Sequence, residues 1–351
     1  MTRFSRVVGV LGLAAVALAL GPGAHAAPVY AEVSNVAELL QAAQSVTGDG
    51  GQIILRPGSY ELTAPLKFKS VYSLELRGSG WSTVLRTPSD GLIFEDCAFC
   101  SVRDLLIVGD LAGKSGSGII FRGQCSSNTV DFCRLASFPD SGLAYEGDPV
   151  VPQSSNTVMR CHFIDNGGAQ LLSRNNNDFF MMQNQFGADQ RHGDGAPQCG
   201  TLLDHSSAGT YSTSYHWGNR VALKMTGGCH FNRIENNRFE MSLEQGLLMG
   251  SQGSGELLML NIITGNTIHT NSMAKSGASA AVEAYDAWST TFCTNQIFSW
   301  DSASFKHRKS LVLGLGCQKW IVKDNICGSN TEEAIFMADD AGHIVKDNIT
   351  D

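Results

Sequence analysis

Charged residues recur at one point of successive apolar segments: Arg122, Glu146, Arg174, Asp204 with His205, Lys224 and Glu283. Gly118-Ile119-Ile120-Phe121-Arg122 and Gly142-Leu143-Ala144-Tyr145-Glu146 show the pattern. In an extended strand successive side chains alternate between faces. With the apolar residues turned inward, the charged ones form one outward row. Tyr145, Tyr211, Tyr215, Trp217, Tyr285 and Trp288 fall close to it, and aromatic faces are platforms for sugar rings. The residue types suit two chemistries. In the first, Arg122 and Arg174 neutralise a substrate carboxylate while Lys224 or His205 removes the adjacent, acidified proton. Asp204 and Glu283 can instead offer oxygen ligands to calcium. In the second, two carboxylates drawn from Glu146, Asp204, Glu283 and Asp286 flank a glycosidic bond. The set Arg122, Glu146, Arg174, Tyr215, Trp217 and Trp288 is expected to touch substrate, and Lys224, His205, Asp204 and Glu283 to react.

Such a row needs a scaffold that stacks residues distant in sequence, and the chain repeats a phrase that builds one. Asn232-Arg233-Ile234-Glu235-Asn236-Asn237-Arg238-Phe239 places an Asn between two apolar positions. The phrase returns around Asn266, Asn295, Asn325 and Asn348, around Asn184, and with Cys in the Asn slot at Cys133 and Cys161. Most steps are roughly 23 to 30 residues, the range of stacked solenoid repeats. Alternating apolar residues read as strands, and Asn reads as a bend because it tolerates a left-handed backbone. One larger gap, between Asn184 and Asn237, leaves room for an irregular turn near Asn219. The expected fold is all-β, a single-stranded parallel β-helix.

From these repeats the chain resembles the pectate-lyase-like superfamily of right-handed parallel β-helices, over nearly all of its length after residue 50. The opening Ile53-Ile54-Leu55-Arg56-Pro57-Gly58-Ser59-Tyr60, a strand, a Pro-Gly turn and a second strand, is similar to that of many members, inulin-fructotransferase-like helices included. The resemblance implies a carbohydrate-active enzyme on an extracellular polysaccharide. It leaves three functions open, since one fold carries many chemistries. The recurring Arg and Lys favour a polysaccharide lyase eliminating at a uronic acid. A glycoside hydrolase or fructotransferase-type enzyme is the alternative, although the Asp-Asp and Gly-His-Gly signature of polygalacturonase-like helices is not visible: Asp339-Asp340 lies in the last repeat without a matching His motif. A non-catalytic glycan-binding helix is the third.

Composition narrows the setting. Arg3 and Arg6 precede an apolar run from Val7 to Leu20, and Ala24-His25-Ala26 offers a cleavage site, so residues 1–26 read as a signal peptide. Secretion, or export to a periplasm, follows. Losing those two arginines takes the formal net charge from −8 to −10. Nucleic acid and anionic membrane are thereby poor partners, and no later segment suggests a membrane anchor. The ten cysteines allow disulfides between neighbouring rungs, Cys97–Cys125 and Cys133–Cys161, or stacked free thiols. The lone spacing Cys97-Ala98-Phe99-Cys100 has no partner pair, so zinc is not indicated.

Residues 27–351 then form one β-helix domain. Val36, Leu39, Leu40 and Ala43 fall on one face of a helix over 35–46, with Asn35 as N-cap, fit to cover the first coil. Residues 187–220 read as an irregular insertion, and further excursions span 269–281 and 299–310. Loops leaving one corner of successive coils stack and wall a groove. The last repeat, at Asn348-Ile349-Thr350-Asp351, carries no visible cap. A bare rung is adhesive, so a loop or a second subunit in a homo-oligomer is expected over it.

Overall fold

The computed structural model describes residues 27–190, 193–300 and 304–350, so the leader expected over 1–26 lies outside the described residues. The chain winds as a right-handed parallel β-solenoid of about 12 turns. Each turn visits three faces in the same order, here called sheets A, B and C. Among the described residues these hold 13, 12 and 11 strands, every neighbouring pair parallel. One turn runs Thr129–Asp131 in sheet A, Arg134–Ala136 in B and Leu143–Glu146 in C. The next repeats it in register, Thr157–Met159 and His162–Ile164 lying directly beneath.

Inward side chains stack like with like. Phe68, Phe94, Phe121 and Tyr145 form a column behind sheet C with centroids 5.1, 4.8 and 5.1 Å apart. Phe163, Phe186 and His216 do the same behind sheet B, at 4.9 and 4.5 Å. Tyr145 and Tyr211 are therefore fully buried and not part of an outer sugar platform. All ten cysteines are free thiols, so the bridges between Cys97 and Cys125 and between Cys133 and Cys161 are not formed. Nine of them are buried small apolar fillers.

The repeated slot sits at the tight bend from A to B, and the left-handed residue is the one before it. Phe132, Arg160, Asn236, Thr294, Asp324 and Asp347 take φ between 51° and 57°. Such a bend costs a non-glycine residue about 1–2 kcal/mol, and the buried slot amide offsets it. Asn266 accepts the Asn237 backbone N–H at 2.9 Å and donates to the Ile234 carbonyl at 2.9 Å and to Asn295 at 3.0 Å. The same bonds run through Asn295, Asn325 and Asn348. Two further ladders, unread in the sequence, hold the other corners. Asn128 and Asn156 accept from the rung above at the C-to-A turn, and Asn166 and Asn271 at the B-to-C turn.

Residues 187–220 are mostly a regular turn. Cys199–Asp204, Thr210–Ser212 and Tyr215–Trp217 are strands of sheets C, A and B, so among the described residues only 188–190 and 193–198 depart from the repeat. The missing slot is Ser214, whose hydroxyl takes the place of an amide by accepting from the Asn184 N–H at 3.2 Å. Asn219 belongs to the B-to-C corner. A helix spans Val36–Ser45; Asn35 accepts the Glu38 N–H at 3.0 Å, and Leu39 and Ala42 are buried. In the last described rung Ile344 and Ile349 are exposed, and no loop of the described residues covers them. Among those residues no helix is long and apolar enough to cross a membrane.

Candidate functional site

The outward row on sheet C exists, and its charges are already spent on one another. Lys69, Glu95, Arg122, Glu146, Arg174 and Asp204 stand in register at the strand ends. They pair off down the face: Lys69 with Glu95, Arg122 with Glu146 at 2.9 Å, Arg174 with Asp204 at 2.8 Å. Asp204 also meets His205 Nδ1 at 2.9 Å, and His205 Nε2 lies 3.3 Å from Glu256. Burial alone would raise the Asp204 carboxyl, but Arg174 and His205 outweigh it and hold it low.

Lys224 and Glu283 depart from that row. Lys224 pairs in register with Leu202 and Leu248, and Leu248 with Glu283, one outward column over. Glu283 is buried and committed to its surroundings: the Ala280 N–H at 3.1 Å, Tyr285 OH at 3.2 Å and Arg308 at 3.4 Å. Three rungs separate it from Asp204, roughly 14 Å at the usual strand spacing. Calcium ligands sit about 2.3–2.6 Å from the ion, so Asp204 and Glu283 do not fit a shared cation. Trp288 stands at the C-to-A turn with its indole N–H on the Gly316 carbonyl at 2.9 Å, far from Tyr215 and Trp217.

Sheet B carries a different constellation. In Tyr215–Trp217, Arg238–Glu240, Thr267–His269 and Gln296–Phe298 the middle residue points inward; His216, Phe239, Ile268 and Ile297 are all fully buried. The outer two residues then make two columns, Tyr215–Arg238–Thr267–Gln296 and Trp217–Glu240–His269–Phe298. Glu240 is only 4% exposed and lies at the centre. It receives the Tyr215 hydroxyl, Arg238 Nε at 2.7 Å and His269 Nε2 at 2.6 Å.

Each donor is held from behind. Thr270 Oγ1 accepts the Trp300 N–H at 2.9 Å and lies 3.1 Å from His269 Nδ1. The Glu240 carboxylate can only accept, which puts an imidazole proton on Nε2, facing it. Phe298 stacks on the His269 ring at 5.2 Å and 6°. Arg238 lies over the Tyr215 ring at 5.1 Å, and Trp217 stacks on Tyr215 at 4.9 Å. Gly187 makes room for that indole, since a Cβ there would fall 2.0 Å from it. Burial and then the Glu240 bond push the Tyr215 phenol up to about 12. Burial acts to raise the Glu240 carboxyl too, but bonds from His269 and Tyr215 win and lower it.

Loops from the B-to-C corner wall this face, as the stacked excursions predict. Met241, Met273, Trp300 and Phe305 enclose a cavity of about 330 Å³ over Arg238, Glu240 and His269. A second, of about 610 Å³, adjoins it through Met241 and Met273 and is lined by Trp217, Arg220 and Leu243. Both fall in the size range of ligand pockets. Tyr215 and Trp217 are thus brought together with a centre the sequence reading passed over: Arg238, Glu240 and His269. The signal was present, because the residues one and three places after each slot face outward on sheet B. At Ser214, Asn237 and Asn266 those places hold Tyr and Trp, Arg and Glu, Thr and His.

No protein-family model matches the chain, and no curated protein does. Solved structures do match its fold. An alginate lyase from Paenibacillus sp. str. FPU-7 aligns at 15% identity over 77% of this chain and 97% of its own, with a TM-score of 0.59. The A-module of the mannuronan C-5 epimerase AlgE6 of Azotobacter vinelandii aligns at 14% over 90% and 94%, TM-score 0.57. The Dettilon tailspike protein aligns at 10% over 86% and 64%, TM-score 0.57. At these identities the likeness defines the architecture, a right-handed parallel β-helix.

Proposed function

We propose that this chain is an enzyme of acidic polysaccharides, a lyase that removes the proton beside a uronate carboxylate. The observation that carries the reading is the cluster on sheet B: one buried carboxylate ringed by a phenol, a guanidinium and an imidazole. Arg238, whose side chain is 54% exposed, stands at the cavity mouth. It neutralises the incoming uronate and so acidifies the C5 hydrogen. Tyr215, as phenolate, takes that proton. The C5–H electrons form the C4–C5 double bond, the C4–O bond breaks, and the phenol proton passes to the departing oxygen. Glu240 and His269 are positioning residues, since both imidazole nitrogens and the carboxylate are occupied within the cluster.

Hydrolysis or transglycosylation ranks below this reading, because it needs two carboxylates at the bond. Glu240 is the one carboxylate among the described residues lining the two cavities. The likeness to folds of an alginate lyase and a mannuronan epimerase supports the substrate class. Incubation with a panel of polyuronates tests it. Elimination yields an unsaturated uronate absorbing in the far ultraviolet. Epimerisation shares the first step, and exchanges solvent deuterium into C5 without cutting the chain. Neither absorbance nor deuterium uptake on any polyuronate would overturn the proposal. Export through residues 1–26 belongs to it, and a secreted protein that begins elsewhere than near Ala27 would contradict that part.

A further inference from the structure

We infer that Arg134, with Trp81 and His162, forms a remote subsite for an anionic sugar. A polyuronate chain then lies along the solenoid axis on sheet B rather than across it. The inference rests on the site reading above. Arg134 occupies the same outward column as the reacting cluster, the register running Arg134, His162, Gln185, Tyr215, Arg238. Four strand steps at about 4.8 Å separate the two arginines, roughly 19 Å, a span that several linked sugars bridge and a very short oligomer does not.

The subsite has an aromatic floor and a charge. Trp81 reaches over from the A-to-B corner and meets His162 edge-on at 4.8 Å and Phe132 at 6.0 Å. The Arg134 guanidinium lies 5.6 Å from the Trp81 ring centre, a cation–aromatic contact that leaves its N–H groups available. Trp81 Nε1 is buried with no hydrogen-bond partner. Among the described residues Arg134 has no carboxylate within ion-pair distance, unlike Arg122 and Arg174 on sheet C. Between Arg134 and Arg238 the column holds only His162, Gln185 and Tyr215. Burial and then Arg134 itself push the His162 imidazole down, against the pull of the nearby Asp189 carboxylate. In this column a polyanion meets two cations, Arg134 unpaired among the described residues and Arg238 paired to the buried Glu240 of the next column, whereas alternating signs oppose it on sheet C.

The test is steady-state kinetics of the full chain on long polymannuronate and polygalacturonate, set against trisaccharides of the same sugars. Arg134→Ala should raise KM for the polymers about tenfold, the size of one lost charge-assisted hydrogen bond. It should leave kcat alone and leave both constants for trisaccharides unchanged, which also certifies the fold. Arg134→Lys should recover part of the loss. Polymer KM unchanged in Arg134→Ala, with wild-type turnover intact, overturns the remote subsite and spares the site reading. Equal losses on polymer and trisaccharide overturn it as well, by placing Arg134 at the reacting end. A wild-type protein inert on every polyuronate and oligomer removes both readings.

Discussion

Sheets B and C of this solenoid offer their charges in opposite ways. On sheet C each cation has an anion one rung away, at the exposed ends of strands: Arg122 beside Glu146, Arg174 beside Asp204. Such pairs are each worth about 0–1 kcal/mol and are screened by salt. On sheet B one carboxylate is sunk to 4% exposure, and three donors of different chemistry close on it beneath loop walls. Alternation of sign along a face satisfies the face itself. Convergence of unlike groups on a buried centre leaves Arg238 half in solvent at the edge of a cavity while Nε and Nη2 hold Glu240, and that is the arrangement a substrate can exploit.

The largest expected effect separates the faces by activity. Tyr215→Phe should lower kcat on polyuronate by about 10²–10⁴, the range for a lost acid–base group, with the circular dichroism spectrum unchanged. The wild-type rate should climb with pH through the neutral range, because the reacting phenolate belongs to a group pushed up to about 12. Glu240→Gln removes the charge that helps raise it, so the rising limb should move to lower pH as the maximal rate drops.

A smaller effect comes from the interior that both faces share. Asn266→Ala deletes bonds to the Asn237 N–H and the Ile234 carbonyl and leaves both groups buried. Chemical denaturation should show a loss of about 2–4 kcal/mol, with kcat of the remaining folded protein preserved.

The smallest effect is graded with pH. His216 lies directly behind Tyr215 and Trp217, and burial pushes its imidazole down from 6.5 to about 3. The unfolded chain binds the proton more readily, so the stability this group contributes is complete above pH 6.5 and drains as pH falls toward 3. Thermal midpoints measured from pH 7 to pH 4 should decline, and His216→Phe should flatten the decline. Because the protonated ring would sit against sheet B, cavity-side probes such as Trp217 fluorescence should respond first.

Much of the architecture was legible from one repeated slot, because a bend that recurs once per turn must be paid for by a side chain of fixed type. Asn237, Asn266 and Asn295 advertise the A-to-B corner. The bend angle itself was misplaced by one residue, since the strain falls on Asn236 and Thr294 while the slot amide supplies the compensating bonds. The turn through Ser214 escaped notice because a hydroxyl can replace the amide, so the spacing looked irregular. For the site, reading outward positions was sound as far as Asp204 and failed at Lys224. There an i to i+2 ambiguity moves a residue to the next column without changing its face. Arg238 and Glu240 were passed over for a different reason. They lie inside the very phrase that builds the scaffold, where polar residues read as solvent-facing filler. Only the rung-to-rung register brings His269 to within 2.6 Å of Glu240.

The most direct test sets one arginine from each face side by side: Arg238→Ala and Arg174→Ala, assayed on the same polyuronate at the same ionic strength. The sheet B account predicts that Arg238→Ala loses at least about a hundredfold in kcat/KM, as for loss of a charge-stabilising donor. Arg174→Ala should stay within about twofold, as for an exposed ion pair. The reverse order, with Arg174→Ala crippled and Arg238→Ala close to wild type, would contradict it and return the chemistry to sheet C.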